Sequence, residues 1–291
     1  MNILIAVNKQ YIRQAEVMLT SLRLSMPDEE IYVYLFYKNI AKESIEKFRS
    51  FLKKKNNIVL KDIIINDKLL QDLPLMAHYS VEIYYRLLVD SILPENIDRI
   101  LWLDSDIVIN KSIYKLYYTD FEDNYLAVCN DLFVGREQLL KYLDDEKIKN
   151  NKYFNSGVIL FNLKKIRKDK KQKEIVNFLY YNKSKLDMPD QDALNVVYCG
   201  NVKYFDGFEF NHLINGREEI NSKQAYIIKN KTAIIHFVGA EKPWFYKYIN
   251  QSWKYYWKIE KKLGNYLRYY TFFTRHYLYV FARKMYYIVK K

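Results

Sequence analysis

Between residues 2 and 65, short apolar runs alternate with helical spacings, and this alternation constrains the fold more than any other feature of the chain. Asn2–Val7 is an apolar run closed by Asn8 and reads as a buried first strand. Ala15, Met18, Leu19 and Leu22 then share one helical face, which stops at Met26-Pro27 because proline disfavours helical geometry in the residue before it. Ile31–Phe36 alternates as a second strand. Ile40–Lys54 reads as a helix with Ile45, Phe48 and Leu52 inward, and Val59–Ile65 as a third strand. A β-α-β-α-β order needs crossover connections. The expectation is therefore an α/β fold, with a Rossmann-like, mostly parallel mixed sheet flanked by helices.

Further along, Ser80–Ile92 has helical spacing through Ile83, Leu87 and Leu88. Arg99–Leu103, Ile107–Ile109, Leu126–Cys129, Gly157–Phe161 and Ala233–His236 read as strands, with helices near 135–149, 171–184 and 190–199. Only 7 Gly and 5 Pro argue against long linkers, so one domain is expected over 1–250, followed by a helical tail over 251–291. Cys129 and Cys199 cannot build a disulfide framework, and no Cys/His cluster suggests zinc; a reducing compartment is expected.

The candidate chemistry sits at strand ends, where α/β sheets place ligands. The run Arg99-Ile-Leu-Trp-Leu103 stops at Asp104-Ser105-Asp106, and Ile107–Ile109 resumes at once. In extended chain, positions i and i+2 point to one side, so the two carboxylates can converge on a hard divalent cation such as Mg²⁺ or Mn²⁺. The spacing alone is weak. With 18 aspartates in 291 residues about one such pair arises by chance, and a second, Asp190-Gln191-Asp192, is present. Most such pairs are solvated turns. Flanking apolar runs raise this one, because charges in a nearly buried ladder are costly unless compensated. His236 closes Ala233–Ile235 and is followed by Gly239 and Lys242. A lone strand-end histidine is more often structural, but with a close-approach glycine and a lysine it resembles a diphosphate site. No G-x-G-x-x-G follows the first strand and no Walker A sequence occurs, so the dehydrogenase and P-loop readings lose their main support.

In order along about residues 1–245 stand Ala6 and Tyr11, Tyr84-Tyr85-Arg86-Leu87, LWLDSDIVI (101–109), FNSGVILFNL (154–163), DQDALN (190–195) and HFVGAEKPW (236–244). Together they resemble glycosyltransferase family 8, which includes bacterial lipopolysaccharide galactosyl- and glucosyltransferases and glycogenin, and the galactosyltransferase branch is nearer. The resemblance implies a GT-A fold, a UDP-hexose donor (galactose or glucose), Mn²⁺ or alternatively Mg²⁺, a glycan or glycolipid acceptor, and transfer with retention. Carried over by motif, Asp104, Asp106 and His236 would be metal ligands. Ala6, Asn8 and Tyr11 would line the uridine pocket, with Ser105 beside them, and Gly239 and Lys242 would meet the diphosphate. Arg86, Asn155, Asp190 and Gln191 would surround the donor sugar, and His78 would lie towards the acceptor. Asn8 departs from the aspartate usual at its position, although its carbonyl can still accept from a uracil N–H. Gln191 and Asp190 are the implied catalytic pair. Both position and stabilise the sugar in a same-face substitution, or Asp190 acts as a covalent nucleophile.

Charge is uneven. Of the net +13, residues Lys242–Lys291 carry +11 (12 Lys/Arg against Glu260), which leaves 13 − 11 = +2 on the preceding body. A uniformly basic nucleic-acid binder is disfavoured. On a helical wheel Arg268, Arg275, Arg283 and Lys290 cluster, extended by His276, Lys284 and Lys291. Leu267, Phe273, Leu278, Phe281, Met285 and Ile288 occupy much of the remainder. That pattern fits a helix lying on an anionic membrane surface; folding back on the body and binding single-stranded nucleic acid are the alternatives. The N-terminus lacks a signal-peptide pattern and no 18-residue stretch is apolar enough to span a bilayer. The expected location is therefore cytoplasmic, peripheral on the inner face of the cell membrane. Two other classes compete with an active transferase: a sugar-nucleotide hydrolase, and a catalytically silent glycan- or nucleic-acid-binding protein on the same scaffold. The presence of Asp104, Asp106, His236 and Lys242 together favours the enzyme.

Overall fold

The computed structural model describes residues 1–66, 68 and 81–289. Ten strands are described: β1 (Asn2–Ala6), β2 (Ile31–Tyr37), β3 (Ile58–Ile64), β4 (Arg99–Leu103), β5 (Ile107–Ile109), β6 (Leu126–Asn130), β7 (Phe154–Asn162), β8 (Val202–Phe205), β9 (His212–Asn215) and β10 (Ile234–Val238). Seven form one sheet in the order β3-β2-β1-β4-β7-β6-β8, and β5-β10-β9 form a second. In the large sheet β3, β2, β1 and β4 run parallel, β7 is antiparallel to both β4 and β6, and β8 is parallel to β6. The α/β, mostly parallel mixed sheet is thus present.

Alternation along β1 feeds two cores. Ile3 and Ile5 pack with Met18, Leu22, Phe48 and Leu52 from the helices Ile12–Ser25 and Lys42–Asn56. Leu4 points to the opposite face, with Phe36, Trp102, Ile159, Tyr84 and Leu194. Each fully buried aliphatic side chain contributes about 1.5–3 kcal/mol, so this two-sided burial dominates the stability of the central strands.

Three local expectations are corrected. Asp104-Ser105-Asp106 is not part of one continuous ladder: β4 ends in the large sheet and β5 begins in the small one, so the tripeptide is where the chain changes sheets. The helix expected near 135–149 is two short turns, Glu137–Leu140 and Asp145–Ile148, set so that Leu139 and Ile148 close over Tyr153. Residues Val81–Leu88 form a 3-10 helix before a short α-helix, Val89–Ile92. Tyr84, Tyr85 and Arg86 are all buried there. The four-residue strands β8 and β9 carry too little pattern to be read in advance.

The C-terminal stretch is two helices, Trp253–Lys262 and Tyr266–Val289, parted at Gly264, whose φ of +79° favours glycine. Trp257 and Phe272 stack at 4.1 Å beside Phe237 and Tyr248, and Glu260 is fully buried against Arg13 and Tyr256. His276 does not join the basic side of the last helix. It is buried, stacks on Phe272, and bonds through Nδ1 to the Tyr246 carbonyl at 2.9 Å. Leu267, Leu278 and Phe281 remain 82%, 65% and 65% exposed on the same helix. No helix of the described residues is long and apolar enough to cross a membrane.

Candidate active site

β1 lies between β2 and β4, so the sheet order reverses there, and a crevice opens beyond the carboxyl ends of β1 and β4. A cavity of about 1080 Å³ occupies this place. Every site residue expected from the sequence lines it except His78, which lies outside the described residues.

Asp104, Asp106 and His236 offer ligand atoms that all lie within 4.8 Å of one another. They meet because β10 pairs antiparallel with β5, which sets His236 opposite Ile107. His236 Nε2 is 3.2 Å from Asp106 Oδ1 and 3.8 Å from Asp104 Oδ2. Its Nδ1 is 3.0 Å from Asn211 Oδ1, and because an amide oxygen only accepts, Nδ1 carries a proton there and Nε2 is the ring atom turned to the carboxylates. Gly157 forms the floor. A Cβ there would lie 2.3 Å from His236 Cε1 and 2.9 Å from Asp104 Oδ2, so only glycine leaves the cluster its space. Two carboxylates and an imidazole nitrogen suit Mn²⁺ or Mg²⁺, and the residues fit such an ion.

Two cations brace this acidic group. Lys242 Nζ donates to Asp106 Oδ2 and to the Phe237 carbonyl, both at 2.6 Å. Burial alone would raise the Asp106 carboxyl, but Lys242 and His236 outweigh it and hold it well below the usual carboxylate range. Arg86 lies over the Trp102 ring at 4.5 Å, donates to Asp104 Oδ1 at 2.9 Å and to the Ser156 carbonyl, and sits 3.3 Å from Asp190 Oδ2. Trp102 Nε1 also donates to Asp104 Oδ1 at 2.8 Å.

Asp190 and Gln191 stand in the first turn of the helix Pro189–Val197, both buried. Burial raises the Asp190 carboxyl, Arg86 pulls it back, and Asp104 raises it further. Gln191 Oε1 accepts from Ser156 N at 2.8 Å and from Asn155 Nδ2 at 3.1 Å, while its Nε2 faces Asp131 Oδ2 at 3.4 Å. The amide is therefore locked in orientation. Asp192, the far member of the second D-x-D, is structural. It accepts from Tyr153 Oη at 2.6 Å, Gln138 Nε2 at 3.0 Å and Tyr142 Oη at 3.0 Å.

At the β1 end, Asn8 Oδ1 accepts from Gln10 N at 3.0 Å and so caps the 3-10 turn Lys9–Tyr11. The side-chain oxygen of Asn8 is thus partly committed, while its amide N–H groups have no acceptor among the described residues. Tyr11 packs edge-on to Trp244 at 6.0 Å. Ser105 Oγ is buried without a hydrogen-bond partner among the described residues, an orphan polar atom beside the cavity. Gly239, with φ of +79°, turns the chain from His236 to Lys242.

Sequence reasoning missed Gly157, Asn211 and Asp131. Asp131 follows β6 as Asp104 follows β4, so the strand-end rule that singled out Asp104 applied to it equally. Asn211 carried no such signal. It orients His236 and passes its Nδ2 to Asn155 Oδ1 at 3.0 Å, contacts 25 and 56 positions away along the chain.

The family model for glycosyl transferase family 8 matches residues 2–248. A lipopolysaccharide 1,2-glucosyltransferase of Escherichia coli (strain K12) is 30% identical over 268 residues, covering 88% of this chain and 76% of that protein. A lipopolysaccharide 1,3-galactosyltransferase of Salmonella typhimurium is 23% identical, covering 84% and 72%. The solved structure of the galactosyltransferase LgtC in complex with donor and acceptor sugar analogs superposes with a TM-score of 0.74. It is 25% identical and covers 90% of this chain and 96% of that one.

Proposed function

This chain belongs to glycosyltransferase family 8, and on that premise we propose that it is a metal-dependent, retaining hexosyltransferase. It would move galactose or glucose from a UDP-sugar to a hydroxyl of a glycan or glycolipid, with a lipopolysaccharide-type precursor as the acceptor that its relatives suggest. The observation that carries this reading is the convergence of Asp104, Asp106 and His236 Nε2 at the sheet's switch point, with Lys242 alongside.

Asp104, Asp106 and His236 would hold Mn²⁺ or Mg²⁺, which supplies Lewis acidity at the diphosphate when bound. Lys242 adds a fixed positive charge where the leaving diphosphate gains negative charge, and Gly239 lets the backbone approach it. Ala6, Asn8, Tyr11 and Ser105 would receive the nucleoside. Arg86 and Asn155 would frame the sugar, and His78 would face the acceptor.

Retention needs either a carboxylate nucleophile beneath the anomeric carbon or a same-face substitution. Same-face substitution is the better supported. Gln191 is an amide, a poor nucleophile, held by Ser156 and Asn155, and Asp190 is engaged by Ser156 Oγ at 3.0 Å and by Arg86. In that scheme the departing diphosphate takes the acceptor hydroxyl's proton, while Gln191 and Asp190 stabilise the sugar. The test is a UDP-sugar panel in Mn²⁺, following UDP release with and without glycan acceptors. Release from a UDP-hexose that rises with acceptor supports the reading; no release from any UDP-sugar by well-folded protein would sink it.

The last helix suggests that the enzyme works at an anionic, cytoplasmic membrane face. Its exposed Leu267, Leu278 and Phe281 support that placement, with the exposed Arg275 and Lys284 flanking them on either side.

A further inference from the structure

Beside the donor cavity lies a second, smaller cleft of about 370 Å³, lined by Asn130, Asp131, Gly135, Arg136 and residues 149–153. We propose that it is an acceptor subsite for an anionic glycan, in which Lys149 and Lys152 receive a phosphate or carboxylate group and the neighbouring carboxamides receive hydroxyls. This inference rests on the glycosyl-transfer reading above.

The position argues first. Asp131 is a wall common to both cavities. On the donor side its Oδ2 faces Gln191 Nε2 and Asn155 Nδ2, each at 3.4 Å; on the other, its backbone N donates to the Tyr153 carbonyl at 2.8 Å. A glycan whose reacting hydroxyl lies near Gln191 therefore has to cross only one residue to place its next unit in the cleft.

The lining argues next. No aliphatic side chain lines the cleft, and three of its residues are asparagines: Asn151 Nδ2 donates to the Ile148 carbonyl at 2.7 Å and Asn130 Nδ2 lies 3.5 Å from the Asp131 carbonyl, which leaves the Asn150 amide and the carboxamide oxygens for sugar hydroxyls. The Tyr153 hydroxyl is already committed to Asp192.

Its charges are mostly spent, except two. Arg136 pairs with Asp145 at 2.6 Å, and Asp131 Oδ1 accepts from Phe133 N and Val134 N. Lys149 and Lys152 are exposed and take part in no ion pair among the described residues. Two unspent ammonium groups on a carboxamide-lined wall favour an anionic sugar over a neutral one.

Backbone geometry adds a separate sign. Lys149 has φ of +48° and ψ of −118°, where glycine would sit without penalty and a lysine is strained. That conformation ends the preceding helical turn at a residue that lines the cleft.

The test reads binding directly by calorimetry with the full chain. One pair of probes is delipidated lipopolysaccharide core oligosaccharide, native and chemically dephosphorylated; the other is 3′-sialyllactose and lactose. We expect the anionic member of at least one pair to bind about tenfold more tightly, and the arm that responds tells phosphate from carboxylate. The double variant Lys149→Gly/Lys152→Ala should remove that difference while its thermal midpoint is not lowered, because glycine relaxes position 149. If neither anionic probe binds more tightly than its neutral partner, or if the preference survives in the folded double variant, the inference is overturned. Because binding is measured without turnover, loss of the enzymatic reading and loss of this one are separable. A glycan preference with no UDP-sugar turnover removes only the former, and turnover with no preference removes only the latter.

Discussion

Lys242 Nζ lies 2.6 Å from Asp106 Oδ2, so the carboxylate that faces His236 is shared with a buried ammonium group. Unit charges 4 Å apart interact by about 4 kcal/mol at an effective dielectric near 20, so an ammonium beside a divalent cation is strongly unfavourable until an anion lies between them. Lys242→Met is expected to tighten Mn²⁺ binding to the protein alone by about tenfold and to remove most of the gain that UDP brings. Electron paramagnetic titration of free Mn²⁺, with and without UDP, reads both effects. Unchanged Mn²⁺ affinity in the variant would show that the two cations do not compete for Asp106.

Gly157→Ala tests the floor of the same cluster. Its Cβ would stand 2.3 Å from His236 Cε1, so the imidazole must move or the backbone must shift. Overpacking of this kind costs about 1–3 kcal/mol. A lowered thermal midpoint, Mn²⁺ affinity reduced more than tenfold and a retained far-UV circular dichroism spectrum are expected together. Wild-type metal affinity would mean that His236 is not a ligand.

Gln191→Ala should lower kcat by roughly 100-fold, the scale of losing one preorganised polar group, with little change in the KM for donor. Asp190→Asn should also lower kcat, without any covalent sugar adduct. The double-displacement route would be established instead by a glycosyl adduct mapped to Asp190 together with unimpaired turnover in Gln191→Ala.

His212 supplies a pH signature. Burial lowers its pKa below the ordinary 6.5, against smaller opposing effects of the Phe208 carbonyl and Asp206. As pH falls through 6.5 the unfolded chain therefore takes up a proton before the folded one, and folding stability declines on the acid side. Urea denaturation midpoints at pH 7.5 and 5.5 should differ, and His212→Asn should flatten part of that slope. An identical slope in the variant would assign the acid loss elsewhere.

For the last helix, substituting glutamate at the exposed Leu267, Leu278 and Phe281 should weaken flotation with anionic liposomes about tenfold while leaving the buried Phe272 and His276 contacts intact. Equal flotation of the triple variant would place membrane attachment on some other surface.

The parallel half of the sheet was legible because β1, β2 and β3 are consecutive apolar runs separated by amphipathic helices, a pattern written in neighbouring residues. The same holds for Asp104 and Asp106, whose flanking apolar runs mark them out of an otherwise common spacing. β8 and β9 escaped because four residues carry too little periodicity, and the turns at Glu137–Leu140 and Asp145–Ile148 because their direction depends on closing over Tyr153.

The α/β class, the strand ends that bear chemistry and the motif order that resembles family 8 are each encoded in local periodicity or short segments, and so were readable from the residues alone. How those pieces meet depends on the folded packing. The chain changes sheets at Ser105, which lets β10 bring His236 to the two aspartates; Asn211 holds the imidazole through Nδ1; and Gly157 keeps the floor clear. That packing also decided that His276 turns inward while Leu267 and Phe281 stay out, since burial depends on what a helix packs against and not on its own wheel. Contacts between residues distant along the chain follow from packing and strand register, which no short window of sequence contains.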